Sequence, residues 1–135
     1  MNLVINAIVN EICNDVIRWP DNPKSLAPKF FRLGGFPYVC GCIDGTMINI
    51  ESPPDVHGEH GRLGRRRHEE VYVNRHGKHA LNVLMVCGPN YDFFAVNPRF
   101  PGSAHDARVL RKSEVYRRFE SGWRPFQDAV IIAEG

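Results

Sequence analysis

Three carboxylates stand where predicted elements begin or end. Asp44 closes an apolar run, Asp106 heads a helical stretch, and Glu134 follows the last strand-like segment. Paired or tripled carboxylates bind hard divalent cations, and two such ions clamp both oxygens of an in-line phosphoryl displacement. Each acid also has a purely structural use. Asp44 precedes Gly45, and an Asp-Gly pair between β-branched runs is a hairpin signal. Asp106 follows Ser103 by three residues, the spacing of a capping box. Glu134 is the penultimate residue, where solvent exposure alone explains an acid. Spacing leaves both readings of all three acids standing.

The elements that must position these acids read as follows. Val4, Ile8, Ile12 and Val16 recur at helical spacing, predicting an amphipathic helix over residues 3–18 that Trp19-Pro20 ends. Ser25 is placed to cap a short second helix holding Phe30 and Phe31, and Gly34-Gly35 breaks it. Val39, Ile43, Ile48 and Ile50 bracket Asp44-Gly45, predicting two short strands joined there. Residues 52–70 form a Pro-, Gly-, His- and Arg-rich loop, and Asn74-Arg-His-Gly77 has turn composition. Leu81 to Cys87 is an almost unbroken apolar run of the kind found in buried central strands. Gly88 to Asp92 turns it into Phe93–Val96 as a hairpin that Pro98 and Pro101-Gly102 end. Ser103 to about Phe119 reads as one helix stopped by Ser121-Gly122, and Ala129–Ala133 reads as a last short strand. The order helix, hairpin, hairpin, helix, strand is an α/β plan in which the last strand runs parallel to the first. Such a sheet brings Asp44 and Glu134 to neighbouring strand ends.

The 135 residues suffice for one domain with a modest core. With 43% hydrophobic and 24% charged residues the composition is that of a soluble globular protein, and no apolar run approaches membrane-spanning length. The N-terminus lacks the basic start and apolar run of a signal peptide. Cys13, Cys40, Cys42 and Cys87 fall in apolar patterns without a second paired motif, so they read as small buried residues rather than zinc ligands or disulfides.

The net charge of +2 does not by itself call for nucleic acid, but its distribution is uneven. Arg62, Arg65, Arg66, Arg67, Arg75 and Lys78 form a local cationic strip that suits phosphate contact, tempered by Glu59, Glu69 and Glu70. A solvated surface loop explains the same charges. His57-x-x-His60 and His76-x-x-His79 have chelating spacing, but without cysteines or a helical frame a polar loop accounts for them better.

Three motifs in order carry more than any single residue: Phe36-Pro-Tyr-Val-Cys-Gly-Cys-Ile-Asp-Gly-Thr46, Asn74-Arg-His-Gly-Lys-His-Ala-Leu-Asn-Val83 and Pro101-Gly-Ser-Ala-His-Asp-Ala-Arg-Val-Leu110. Together they resemble the PIF/Harbinger transposase-derived nucleases of the DDE superfamily, which have a ribonuclease H-like fold. The resemblance implies an α/β, ribonuclease H-like mixed sheet, incomplete here, over residues 36–135, behind a helical preface over residues 1–35. It implies a divalent cation, Mg²⁺ or Mn²⁺, held by Asp44, Asp106 and Glu134, and hydrolysis or transfer of a DNA phosphodiester. It also implies a nuclear, or nuclear and cytoplasmic, location and a separate Myb-like DNA-binding partner. Three departures stand out: Glu134 occupies a slot usually held by aspartate, Met47 one usually held by histidine, and the family's final glutamate falls beyond Gly135. These departures point to a fragment or domesticated remnant, and the alternative function is a catalytically silent module that binds DNA or protein through the basic loop and the exposed sheet.

Overall fold

The computed structural model describes residues 2–52 and 67–133. Within them, helices α1 (Leu3–Ala7) and α2 (Cys13–Val16) are joined by a π-helical stretch, Ile8–Ile12. Asn2 caps the start by accepting from the Val4 N–H at 3.0 Å. The helix predicted from the periodicity is present, but its stripe is uncovered: Val4, Ile8, Ile12 and Val16 are 45–68% exposed. A π turn takes an extra residue and shifts the stripe's phase midway. Trp19, just past the helix, packs on Phe94 at 5.0 Å and on Trp123 at 5.6 Å between ring centroids.

Helix α3 (Leu26–Gly34) buries Leu26 and Phe30 and leaves Phe31 exposed. Strand β1 (Val39–Asn49) follows, then the short helix α4 (Arg67–Glu70), strands β2 (Ala80–Cys87) and β3 (Phe93–Pro101), helices α5 (Asp106–Arg111) and α6 (Glu114–Glu120), and strand β4 (Val130–Ala133). The sheet order is β3-β2-β1-β4. The β1–β2 and β2–β3 pairs are antiparallel and β1–β4 is parallel, the arrangement predicted from the element order. This mixed α/β sheet is consistent with the ribonuclease H-like plan. Val39, Cys40, Ile43, Leu84, Val86, Phe94 and Val109 form the centre of the core.

Three sequence expectations are corrected. No hairpin forms at Asp44-Gly45. β1 runs straight through it for eleven residues, because β2 pairs with it continuously from Cys42↔Cys87 to Asn49↔Ala80 and outweighs the local turn preference. The single helix after Ser103 is two helices, since the buried Ser113 hydroxyl accepts from the Tyr116 N–H at 3.1 Å and starts α6 anew. β3 continues past Pro98 to Pro101, which an edge strand tolerates because its outward N–H groups need no partner.

The turn at Gly102 sets where α5 begins. A Cβ there would lie 2.6 Å from the Tyr72 carbonyl oxygen and 2.8 Å from that of Ala80, so only glycine allows this approach. Its N–H donates to Ala80 at 2.8 Å, and the Ser103 N–H donates to Val71 at 3.1 Å. These bonds dock the end of β3 beside the start of β2 and deliver Asp106 over the sheet.

Candidate active site at the open edge of the first strand

β4 ends at Ala133, in register with Ile43, one residue short of Asp44. Among the described residues β1 has no β4 neighbour beyond that point, and the Gly45 N–H is taken by the Asp44 side chain, whose Oδ1 accepts it at 2.7 Å. Side chains alternate along a strand, so Asp44 shares its face with Cys42 and Met85, and Gly45 shares the other with Leu84 and Asn82.

Asp106 closes over Gly45 from the helical side. A Cβ on Gly45 would overlap the Asp106 Oδ1 and lie 2.9 Å from its carboxyl carbon and 3.0 Å from Asn82 Oδ1. Glycine is therefore required there by the close approach of these two polar side chains. Chained through the backbone dimensions of Gly45, these contacts keep the Asp106 carboxyl carbon within about 8 Å of Asp44 Oδ1. The two acids thus flank Gly45, Asp106 over one face of β1 and Asp44 on the other. Asp106 is the first residue of α5, and His105 occupies the cap position without a side-chain bond, so the capping box expected from Ser103 does not form.

Asn82 is the residue that sequence reasoning passed over. It is completely buried, and its Nδ2 donates to the Ala104 carbonyl at 2.9 Å and to Asp106 Oδ1 at 2.7 Å. Both partners are acceptors, which fixes the amide orientation and uses both of its donors. Its Oδ1 is left buried without a donor among the described residues. Such an orphan acceptor costs about 1–3 kcal/mol. The one signal for it in the sequence is a polar residue inside an otherwise apolar strand. Met47, at the position usually held by histidine, stands across the strand pair from Asn82.

Glu134 lies outside the described residues, as do Arg62, Arg65 and Arg66 and the side chain of Arg67. Among the described residues no three His, Cys, Asp or Glu side chains cluster as a metal site. Arg75 and Lys78 are exposed on a turn that buried Asn74 holds together, its Oδ1 accepting from the N–H groups of His76 at 2.9 Å and Lys78 at 3.1 Å. This turn leads directly into β2. The Ser52 hydroxyl donates to Glu69 Oε1 at 2.6 Å. The same Glu69 oxygen lies 3.1 Å from His79 Nε2.

The cysteines divide by environment. Burial pushes the Cys40 thiol up to about 12, and its Sγ lies 3.2 Å from the Val130 carbonyl oxygen. Cys42 is exposed, contrary to the expectation that the cysteines are buried, and it faces Cys87 directly across the β1–β2 pair. Burial raises both of their thiols as well. All four are free.

The family model described as "DDE superfamily endonuclease" matches residues 43–134. A human protein named "Putative nuclease HARBI1" is 34% identical over 122 residues, which cover 88% of this chain and 31% of that protein. The Xenopus laevis protein of that name is 31% identical over 137 residues, covering 96% of this chain and 36% of its own length. "Protein ALP1-like" of Arabidopsis thaliana is 27% identical over 118 residues, covering 87% and 27%. The chain thus spans about a third of the length of the curated relatives it matches. No solved structure matches it. Asp44 and Asp106 themselves lie inside the matched span, and the chain belongs to the DDE superfamily of endonucleases.

Proposed function

We propose that this chain is a divalent-metal-dependent nuclease domain acting on the phosphodiester bonds of DNA, with Asp44 and Asp106 as cation ligands and Glu134 as a third. The placing of Asp44 and Asp106 on either side of Gly45, just past the end of β4, carries this reading.

The residues present fit a hard cation. Their donors are oxygens, the missing Cβ of Gly45 lets the Asp106 carboxyl approach β1, and an orphaned acceptor, Asn82 Oδ1, borders that carboxyl. When bound, Mg²⁺ or Mn²⁺ supplies Lewis-acid stabilisation of the phosphate and activates a water or 3′-hydroxyl nucleophile. The protein's own part is to hold the ligands. Asn82 ties down Asp106 Oδ1, leaving Oδ2 without a hydrogen-bond partner among the described residues. The Gly45 N–H ties down Asp44 Oδ1 in the same way. Arg75 and Lys78, exposed on the turn before β2, are placed to neutralise backbone phosphates.

Cleavage of supercoiled plasmid DNA in Mn²⁺ tests the assignment. The wild type nicks the plasmid, while Asp44→Asn and Asp106→Asn are inactive. If both variants cut at the wild-type rate, the carboxylates are wrongly assigned. The exposure of Arg75 and Lys78 on the turn before β2 supports a second reading, a silent module that binds DNA through them. In that case all three proteins bind DNA alike and none cuts.

A further inference from the structure

We infer that Asn82 is a positioning residue of the metal centre, a role that rests on the nuclease reading above but is separable from it. A buried asparagine that only joined β2 to the segment before α5 would need its bond to the Ala104 carbonyl and nothing more. Asn82 spends its second donor on Asp106, whose side chain lies on an exposed residue and adds little to packing. That bond fixes one carboxylate oxygen and turns the other outward.

The acceptor end of the same amide makes the second contribution. With both donors committed, Oδ1 must point away from Ala104 and Asp106, and it borders the space above Gly45 that a Cβ would fill. No donor meets it there among the described residues. An uncompensated carbonyl dipole beside the Asp106 carboxyl makes the surroundings of that carboxyl attractive to positive charge, and a low-dielectric setting strengthens the effect. One residue on the rigid central strand therefore aligns a ligand and biases the local field toward a cation. Groups in this relation to a ligand change metal affinity by roughly ten- to a hundred-fold when removed.

The test uses the 135-residue chain with Mn²⁺, titrated calorimetrically against wild type, Asn82→Ala and Asn82→Asp, with melting temperatures measured with and without the ion. Asn82→Ala is expected to bind Mn²⁺ roughly ten-fold more weakly or worse. Asn82→Asp sets a carboxylate against Asp106, so it melts below wild type without metal and gains more from Mn²⁺ than wild type does. If wild type binds and both variants match it in affinity and in Mn²⁺-induced melting shift, this inference fails and the nuclease reading survives. If wild type binds no Mn²⁺, both fail. Should Asn82→Ala not fold, the wild type decides, because the Asn82 side-chain amide signals must broaden in Mn²⁺ while those of Asn74 do not. Unbroadened Asn82 signals at saturating Mn²⁺ overturn the role.

Discussion

Asp106 lies directly over Gly45, so a residue at the start of α5 occupies the space that a side chain on β1 would need. This contact joins two of the three sequence motifs, and it gives Gly45 a function other than turning the chain. Gly45→Ala puts a methyl group into the Asp106 carboxyl and 3.0 Å from Asn82 Oδ1. Overpacking of this kind costs about 1–3 kcal/mol. Urea denaturation checks the loss, and Mn²⁺ affinity should fall with it because the displaced group is a proposed ligand. Wild-type stability in Gly45→Ala would show that Asp106 yields freely and is not held in place.

Nucleic-acid contact is separable from the metal centre. Arg75 and Lys78 are exposed on the Asn74 turn. Arg75→Ala and Lys78→Ala should each weaken DNA binding across all sequences. Each should also flatten the slope of log K against log salt by about 0.9 if it neutralises one phosphate. Fluorescence anisotropy over a range of salt concentrations measures both effects, and an unchanged slope would remove these two residues from the interface.

The thiols offer a check on the sheet. Cys42 is exposed whereas Cys40 is buried with its thiol pushed up to about 12. Mass-spectrometric mapping after maleimide treatment near pH 7.5 should find Cys42 labelled well before Cys40, which reacts only on unfolding. The sign of the alkaline response follows as well. Cys40 loses its proton more readily in the unfolded chain, whose thiol has the ordinary value near 9. Native stability is therefore unaffected by this group below about pH 9 and declines as pH rises from there toward 12. Equal labelling of Cys40 and Cys42 would contradict the packing of β1 against β4.

How much of this was legible in the sequence depends on which interactions decide each element. The apolar run at Leu81–Cys87 and the turn at Gly88–Asp92 marked β2 and the β2–β3 hairpin because burial and turn chemistry act locally there. The parallel return of β4 followed from element order. Asp44-Gly45 misled because its local preference for a turn is overruled by the β2 ladder, which no short window contains. The break at Ser113 was hidden because its hydroxyl competes for a backbone N–H without interrupting the helical pattern. Motif wording pointed to Asp44 and Asp106. Asn82 stood in plain view in an apolar run, but only the folded chain shows what its amide holds.

The claim that Asp44 and Asp106 serve one cation site at the edge of β1 is tested most directly by calorimetric titration of Mn²⁺ into wild type, Asp44→Asn and Asp106→Asn. The expected result is saturable binding by wild type that is lost or weakened at least ten-fold in each variant, while all three melt as cooperatively folded proteins. Binding by Asp44→Asn indistinguishable from wild type, or no binding by any of the three, would contradict it.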